Sequence, residues 1–147
     1  MAKIISATTR FVGAGTAVDR GTRRADFILK ARALLGQSRR HREAGEWELA
    51  LETAYQAALR SAGARISGSA VSRRRRRPSG AWEQLRLVDE SGERRAAEFE
   101  QYSRLRSRVA SGLEPDVDHV IVNRIMAMAE EFLAEVELEA GWTTAAA

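Results

Sequence analysis

Between Glu46 and Gly63, Trp47, Leu51, Ala54, Tyr55, Ala58 and Ala62 recur at helical intervals, while Glu48, Glu52, Gln56 and Arg60 take the opposite side. A half-buried strand alternates every second residue, so this stretch predicts an amphipathic helix with one buried face. Such a helix must be covered by others, and the rest of the chain supplies them without a competing strand pattern. From Val117, the residues Ile121, Ile125, Met128, Phe132 and Val136 step by four, four, three, four and four. This predicts a second core helix, introduced by Pro115 and Asp116, with Glu130, Glu131, Glu135, Glu137 and Glu139 on its exposed side.

The intervening segments complete an expected all-α bundle, up-and-down and antiparallel, of four main helices plus one short one. The first helix is expected near Asp26, burying Phe27, Ala31, Leu34 and Leu35, and ending at Arg39, Arg40, His41 and Arg42, where basic residues suit the dipole. Gly45 stops it and allows a tight hairpin into the next. A basic loop over 65–78 follows, and Ser79 is expected to cap a short helix burying Trp82, Leu85 and Val88 and ending around Ser91 and Gly92. A fourth segment, Glu93 to Ser111, carries Ala96, Phe99, Tyr102, Leu105 and Val109 and ends at Gly112; Gly141 closes the last helix. Residues 1–24 are expected to form a flexible arm, 25–140 the bundle and 141–147 a flexible tail.

Composition excludes several chemistries. There is no cysteine, hence no disulfide or zinc thiolate site, and two histidines leave little for a metal. Neither cofactor nor metal is expected. The longest early apolar run, Phe11 to Val18, is broken by Gly13, Gly15 and Thr16 and is too short to span a bilayer, so a cytoplasmic protein without membrane attachment is expected. Charge is uneven: up to Pro78 there are 17 Lys or Arg against 6 Asp or Glu, and from Ser79 onward 7 against 14. The basic first half is expected to dock on the acidic second half.

The candidate binding residues are five consecutive arginines, Arg73, Arg74, Arg75, Arg76 and Arg77. Fixed positive charge in a loop can follow phosphates through counterion release, without reading bases. The alternative is a solvated arginine-rich loop. His119 shares one helical face with Asp116 and Asn123; the arrangement reads as a capped helix start in which acidic residues complement the dipole, with a proton shuttle or a weak metal site as the alternative. His41 belongs to a basic helix end. Trp47, Trp82, Phe99, Tyr102 and Phe132 fall on inward stripes and read as core, while the hydroxyls of Tyr55 and Tyr102 are directed toward a groove between helices.

LALETAYQAALRSAGA from Leu49 to Ala64, the basic loop, SGAWEQLRLV from Ser79 to Val88 and MAEEFLAEVE from Met128 to Glu137 together resemble the small HEPN-domain proteins of actinobacteria, over about residues 25–139. The family name refers to nucleotide binding in higher eukaryotes and prokaryotes. The resemblance implies a helical bundle and a homodimer, consistent with Val122, Met126 and Leu133 extending apolar surface on the last helix. Many HEPN proteins are metal-independent ribonucleases in which a histidine follows an arginine by a short spacing. Here those positions hold Gly36, Leu35 and Leu34 before His41, and Glu114, Leu113 and Gly112 before His119. The expected function is therefore a non-catalytic module binding nucleotide or RNA through the basic loop. The alternatives are a structural or regulatory module for a partner protein, and an unorthodox ribonuclease using His119.

Overall fold

The structure, a computed structural model, describes residues 17–142. Its regular elements are all helical: α1 (Ala17–Glu43), α2 (Trp47–Ser67), a 3-10 turn (Ala70–Arg73), α3 (Ala81–Arg86), α4 (Glu90–Glu100), α5 (Ser103–Ala110) and α6 (His119–Glu139). Three glycines end helices as the sequence predicts. Gly45, Gly112 and Gly141 have φ of +77°, +75° and +82°, the left-handed region in which a missing Cβ removes the steric penalty. Each closes the same double hydrogen bond, for example Gly45 N to Arg42 O at 3.0 Å and Glu46 N to His41 O at 2.8 Å. Starts are capped differently: the Asp89 side chain accepts from Gly92 N at 2.8 Å and Asp118 from Val120 N at 2.9 Å.

Polar contacts between helices give the directions. Going up α1, Arg32, Arg39 and Arg42 meet Glu137, Glu130 and Asn123, going down α6. Thus α1 and α6 are antiparallel. Arg65 near the end of α2 meets Glu139, and Trp47 at its start meets His119, so α2 and α6 run together. Arg95 of α4 reaches Glu135, and Arg106 of α5 reaches Glu52, so the α4–α5 arm opposes both. The result is the expected up-and-down bundle. Many of these pairs join the basic first half to the acidic second half, as the charge asymmetry predicts.

Two apolar clusters fill the interior. The larger holds Ile28, Ala31, Leu35, Tyr55, Ala58, Trp82, Leu85, Phe99, Phe132 and Val136; the smaller holds Ala50, Leu51, Ala54, Val109, Val117, Val122, Ile125 and Met126. Tyr102 packs against both. The arm expected as one helix from Glu93 is broken beside that residue, where Tyr102 N turns back to Phe99 O at 3.0 Å. The break lets Phe99 stack on Trp82, with centroids 5.3 Å apart, while Val109 enters the other cluster.

Several boundaries depart from expectation. Helix α1 begins at Ala17, so 17–24 of the predicted arm belong to the bundle; residues 1–16 and 143–147 lie outside the described residues. Asp26 is not a cap but sits inside α1, paired with Lys30 at 3.0 Å. Arg24 lies over Gly68, where a Cβ would come within 2.8 Å of its guanidinium. Trp142, assigned to the tail, packs on the core beneath the Arg32 guanidinium at 4.9 Å. Helix α2 continues through Gly63 to Ser67, so the loop begins at Gly68. The last helix starts at His119, after a capping Asp118, not at Pro115.

Helix α3 ends at Arg86, short of the predicted Ser91 and Gly92, and its N-cap is Gly80 in place of Ser79. Gly92 does not terminate it. That glycine is buried in the first turn of α4, and a Cβ there would lie 2.4 Å from Leu85 O. On α6, Val122, Met126 and Leu133 are 0%, 1% and 5% exposed, which removes the apolar surface offered for a homodimer. Glu137, placed on the exposed side, is buried against Arg32.

Gly92→Ala forces a methyl group into the Leu85 carbonyl, and rigid backbone contacts of this kind cost about 1–3 kcal/mol. The expected result is a melting temperature lowered by several degrees in a circular-dichroism melt; an unchanged melt contradicts the close approach.

Candidate nucleic-acid interface

The loop that carries Arg73–Arg77 is tied at both ends and open between them. At its entrance the Ser69 side chain accepts from Val71 N at 3.2 Å and donates to Ile66 O at 2.7 Å. Ser72 Oγ donates to Ser69 O at 2.8 Å, closing the 3-10 turn, and Val71, 2% exposed, anchors the turn in the core. At its exit Gln84 Nε2 donates to Pro78 O at 2.6 Å. Pro78 cannot extend a helix backwards, and five adjacent guanidiniums repel one another, so the segment between these ties is held outward.

Arg73, Arg74, Arg75, Arg76 and Arg77 are all exposed, as the sequence predicts for the candidate residues. Their charge is not spent internally. The helix arginines that do form ion pairs include Arg32, Arg39, Arg65, Arg86, Arg95, Arg106 and Arg108. Arg75 and Arg76 border open space of their own, and Arg77 turns to a cleft.

That cleft, about 280 Å³, is formed by α1, α2, the loop and α3. Phe27, Leu59, Ile66 and Ala81 give it an apolar floor; Arg23, Arg77, Ser72, Ser79 and Gln84 give it a polar rim. Arg23 is missing from the sequence-derived candidates because it lay in the presumed arm. Phe27 was expected in the core, and only partly packs there. Gly63 lets the Phe27 ring lie against α2, since a Cβ at that position would come within 2.9 Å of the ring. Only the proximity of Arg23 and Arg24 to Phe27 in the sequence hinted at this grouping.

The other candidates are committed elsewhere. The Tyr55 hydroxyl, directed to a groove in the sequence reading, is buried and accepts from Trp82 Nε1 at 2.9 Å. Its ring meets Trp82 and Phe99 edge-on, and the Arg106 guanidinium lies 4.7 Å from it; burial pushes the phenol pKa up. His119 is exposed and stacks flat on Trp47, with centroids 3.9 Å apart. Asn123, one turn along, accepts from Arg42 Nη1 at 2.9 Å, and Asp118, in place of Asp116, caps the helix. His41 Nδ1 is bound to Glu46 Oε1 at 2.8 Å. No group of three His, Asp or Glu side chains suited to a metal occurs among the described residues.

Residues 48–137 match the SAV_6107-like HEPN family. The chain belongs to this HEPN family. The matched region starts inside α2 and ends at Glu137, taking in the helix hub, the basic loop and the α6 core, but not α1. Searches of curated proteins and of solved structures return no match. No helix among the described residues is long and apolar enough to cross a membrane.

The HEPN bundle that presents the loop is also pinned by carboxylates whose ionisation is favoured by the fold. Hydrogen bonds from Arg106 hold Glu52 below the usual carboxylate range, and those from Arg65 do the same for Asp89. A depressed folded pKa means that this stabilisation is present above the unfolded value, near pH 4, and is lost as pH falls through the lower folded values. Thermal melts are therefore expected to be flat from neutral pH to about pH 5 and to decline steeply below about pH 4. Glu52→Gln should shrink that decline; a variant as acid-sensitive as the parent contradicts the assignment.

Proposed function

We propose that this HEPN protein is a non-catalytic binding module that holds RNA by its phosphates through Arg73–Arg77. The observation that carries this reading is the unspent charge: five adjacent exposed arginines on a loop anchored at both ends, while arginines of the helices such as Arg32, Arg65, Arg95 and Arg106 are paired with carboxylates. An anchored loop loses less freedom on binding than a free one, so more of the electrostatic gain appears as affinity. Sequence preference should be weak, because phosphate contacts carry no base information.

Chemistry argues against catalysis. Hydrolysis of a phosphodiester needs a positioned proton-transfer group beside a cation that stabilises the developing charge. His119 lies against Trp47, and the Arg42 guanidinium beside that helix is bound to Asn123. The spacing that carries ribonuclease activity in many HEPN proteins is absent at both histidines. A partner-protein role is the second reading, favoured by the exposed Leu113 and Val120, 62% and 65% accessible, which flank the α6 start.

Replacing Arg73–Arg77 with serine is expected to abolish most RNA association at low salt. The slope of log affinity against log salt for single-stranded RNA should become shallower by roughly three to four units. Fluorescence anisotropy over a salt series measures both, and gel analysis of the same samples should show RNA of unchanged length. Equal affinities and slopes for the two proteins would refute phosphate tracking, and cleavage lost in His119→Ala would refute the absence of catalysis.

A further inference from the structure

Phosphate tracking leaves one group beside the arginines unused. The sequence assigns Ser79 to capping α3, but Gly80 takes that position, and the Ser79 hydroxyl makes no hydrogen bond among the described residues. The neighbouring serines are committed to carbonyls. Ser67 donates to Ala64 O at 2.9 Å, Ser69 to Ile66 O at 2.7 Å and Ser72 to Ser69 O at 2.8 Å. Ser67 is buried and Ser69 and Ser72 are half-buried, whereas Ser79 is exposed. Arg73–Arg77 stand two to six residues before it. The backbone is extended at both ends of this stretch, with φ and ψ of −71° and 141° at Arg74 and of −80° and 143° at Gly80, and Pro78 biases Arg77 the same way.

An enzyme that modifies a serine must draw the hydroxyl and its flanking residues into a cleft, which an exposed, extended segment permits without unfolding and a helical one resists. We propose that Ser79 is a phosphorylation site for a serine kinase that reads arginine, and that its phosphate switches the loop off. Ser79 Oγ attacks the γ-phosphorus of a nucleoside triphosphate. The new O–P bond replaces the bond to the bridging oxygen, the diphosphate leaves, and the hydroxyl proton passes to the kinase's catalytic carboxylate. Arginines at fixed distances before the serine match an acidic substrate groove. The product carries a charge of about −1.5 to −2, which offsets about two of the five arginines. It is also held in place. Ser79 lines the same cleft as Arg23 of α1 and Arg77, and no carboxylate is among the lining residues, so guanidinium forks from two elements grip the phosphate from within the chain. The exposed Glu83 lies over Gly80, its Oε1 2.7 Å from where a Cβ would be, and its flexible side chain can swing away from the new charge. The switching rests on RNA binding by the loop; the acceptor site and its clamp do not.

The full chain is treated with the catalytic subunit of cyclic-AMP-dependent protein kinase and a nucleoside triphosphate, and the product is mapped by tandem mass spectrometry. One phosphoryl group is expected on Ser79, at a rate comparable to that of a peptide spanning residues 71–83, and none on Ser79→Ala. Arg76→Ser and Arg77→Ser together should slow the transfer roughly tenfold or more, as expected when charge-assisted contacts are lost. The phosphorylated protein should bind single-stranded RNA about tenfold more weakly at low salt, with a log affinity against log salt slope shallower by roughly one unit, while the same treatment leaves Ser79→Ala unchanged. The clamp is read without RNA: phosphorus NMR should show the phosphoserine titrating at lower pH in the parent than in Arg23→Ser, because a guanidinium favours the dianion. Transfer to Ser79 with this titration difference, in a parent that does not bind RNA, would support the site and refute RNA binding by the loop. The proposal is overturned if the folded protein is inert where the peptide reacts, if another serine takes the phosphoryl group, if Arg23→Ser leaves the titration unchanged, or if phosphorylation leaves the affinity of an RNA-binding parent as it was.

Discussion

The small-residue surface of α2 is the constraint on which the rest of the bundle depends. Ala50, Ala54, Ala57, Ala58, Ala62 and Ala64 are all 0% exposed, so neighbouring helices approach the α2 backbone from several sides. Close approach increases dispersion contacts without forcing large side chains into strained rotamers. It also buries polar groups, which must be satisfied. Thr53, Ser61 and Ser67 donate back to carbonyls of their own helix at 2.8, 3.0 and 2.9 Å, and Ser38 crosses from α1 to Ala50 O at 2.7 Å. No buried side-chain polar atom among the described residues is left without a partner. Larger residues on α2 would separate α1 from α6 and pull apart the arginine–glutamate pairs that align them.

Charge then divides the molecule by role. The basic first half meets the acidic second half across the helix interfaces, where Arg32, Arg39 and Arg65 find Glu137, Glu130 and Glu139. The exposed Arg39–Glu130 pair contributes little by itself, but together the three penalise alternative registers that would place like charges together. The loop arginines stand outside this pairing. Their repulsion is tolerated because they project into water from anchors at Val71 and Pro78, and a polyanion would relieve it.

Much of the fold was legible in the sequence because large apolar residues step by three and four along α2 and α6, and because Gly45, Gly112 and Gly141 mark true stops. The failures have physical causes. Hydropathy registers alanine weakly, so the amphipathic stripe of α2 does not include Ala57 and Ala64, which the fold buries completely. In sequence Gly92 reads as a stop, because glycine at φ > 0 ends helices, whereas it serves a close crossing that only the folded chain creates. Residues 17–24 are polar and lack an apolar stripe, so nothing local announced that α1 extends through them to place Arg23 at the cleft. The arginine loop was visible as a run, but that Arg77 alone turns toward Phe27 and Arg23 depends on how α1 and α3 pack. HEPN membership and the helical bundle therefore emerge from core positions, and the grouping of Arg77 with Arg23 only from their assembly.

The central claim is that the polyanion surface of this bundle is the charge left unpaired by folding. Amide chemical shifts recorded by NMR during titration with short single-stranded RNA test it residue by residue. The account predicts changes concentrated at Arg73–Arg77 and the adjoining rim at Arg23 and Ser79, with the α4 and α6 acidic faces unaffected. Changes centred on His119 and Arg42, or none at all at low salt, would contradict it.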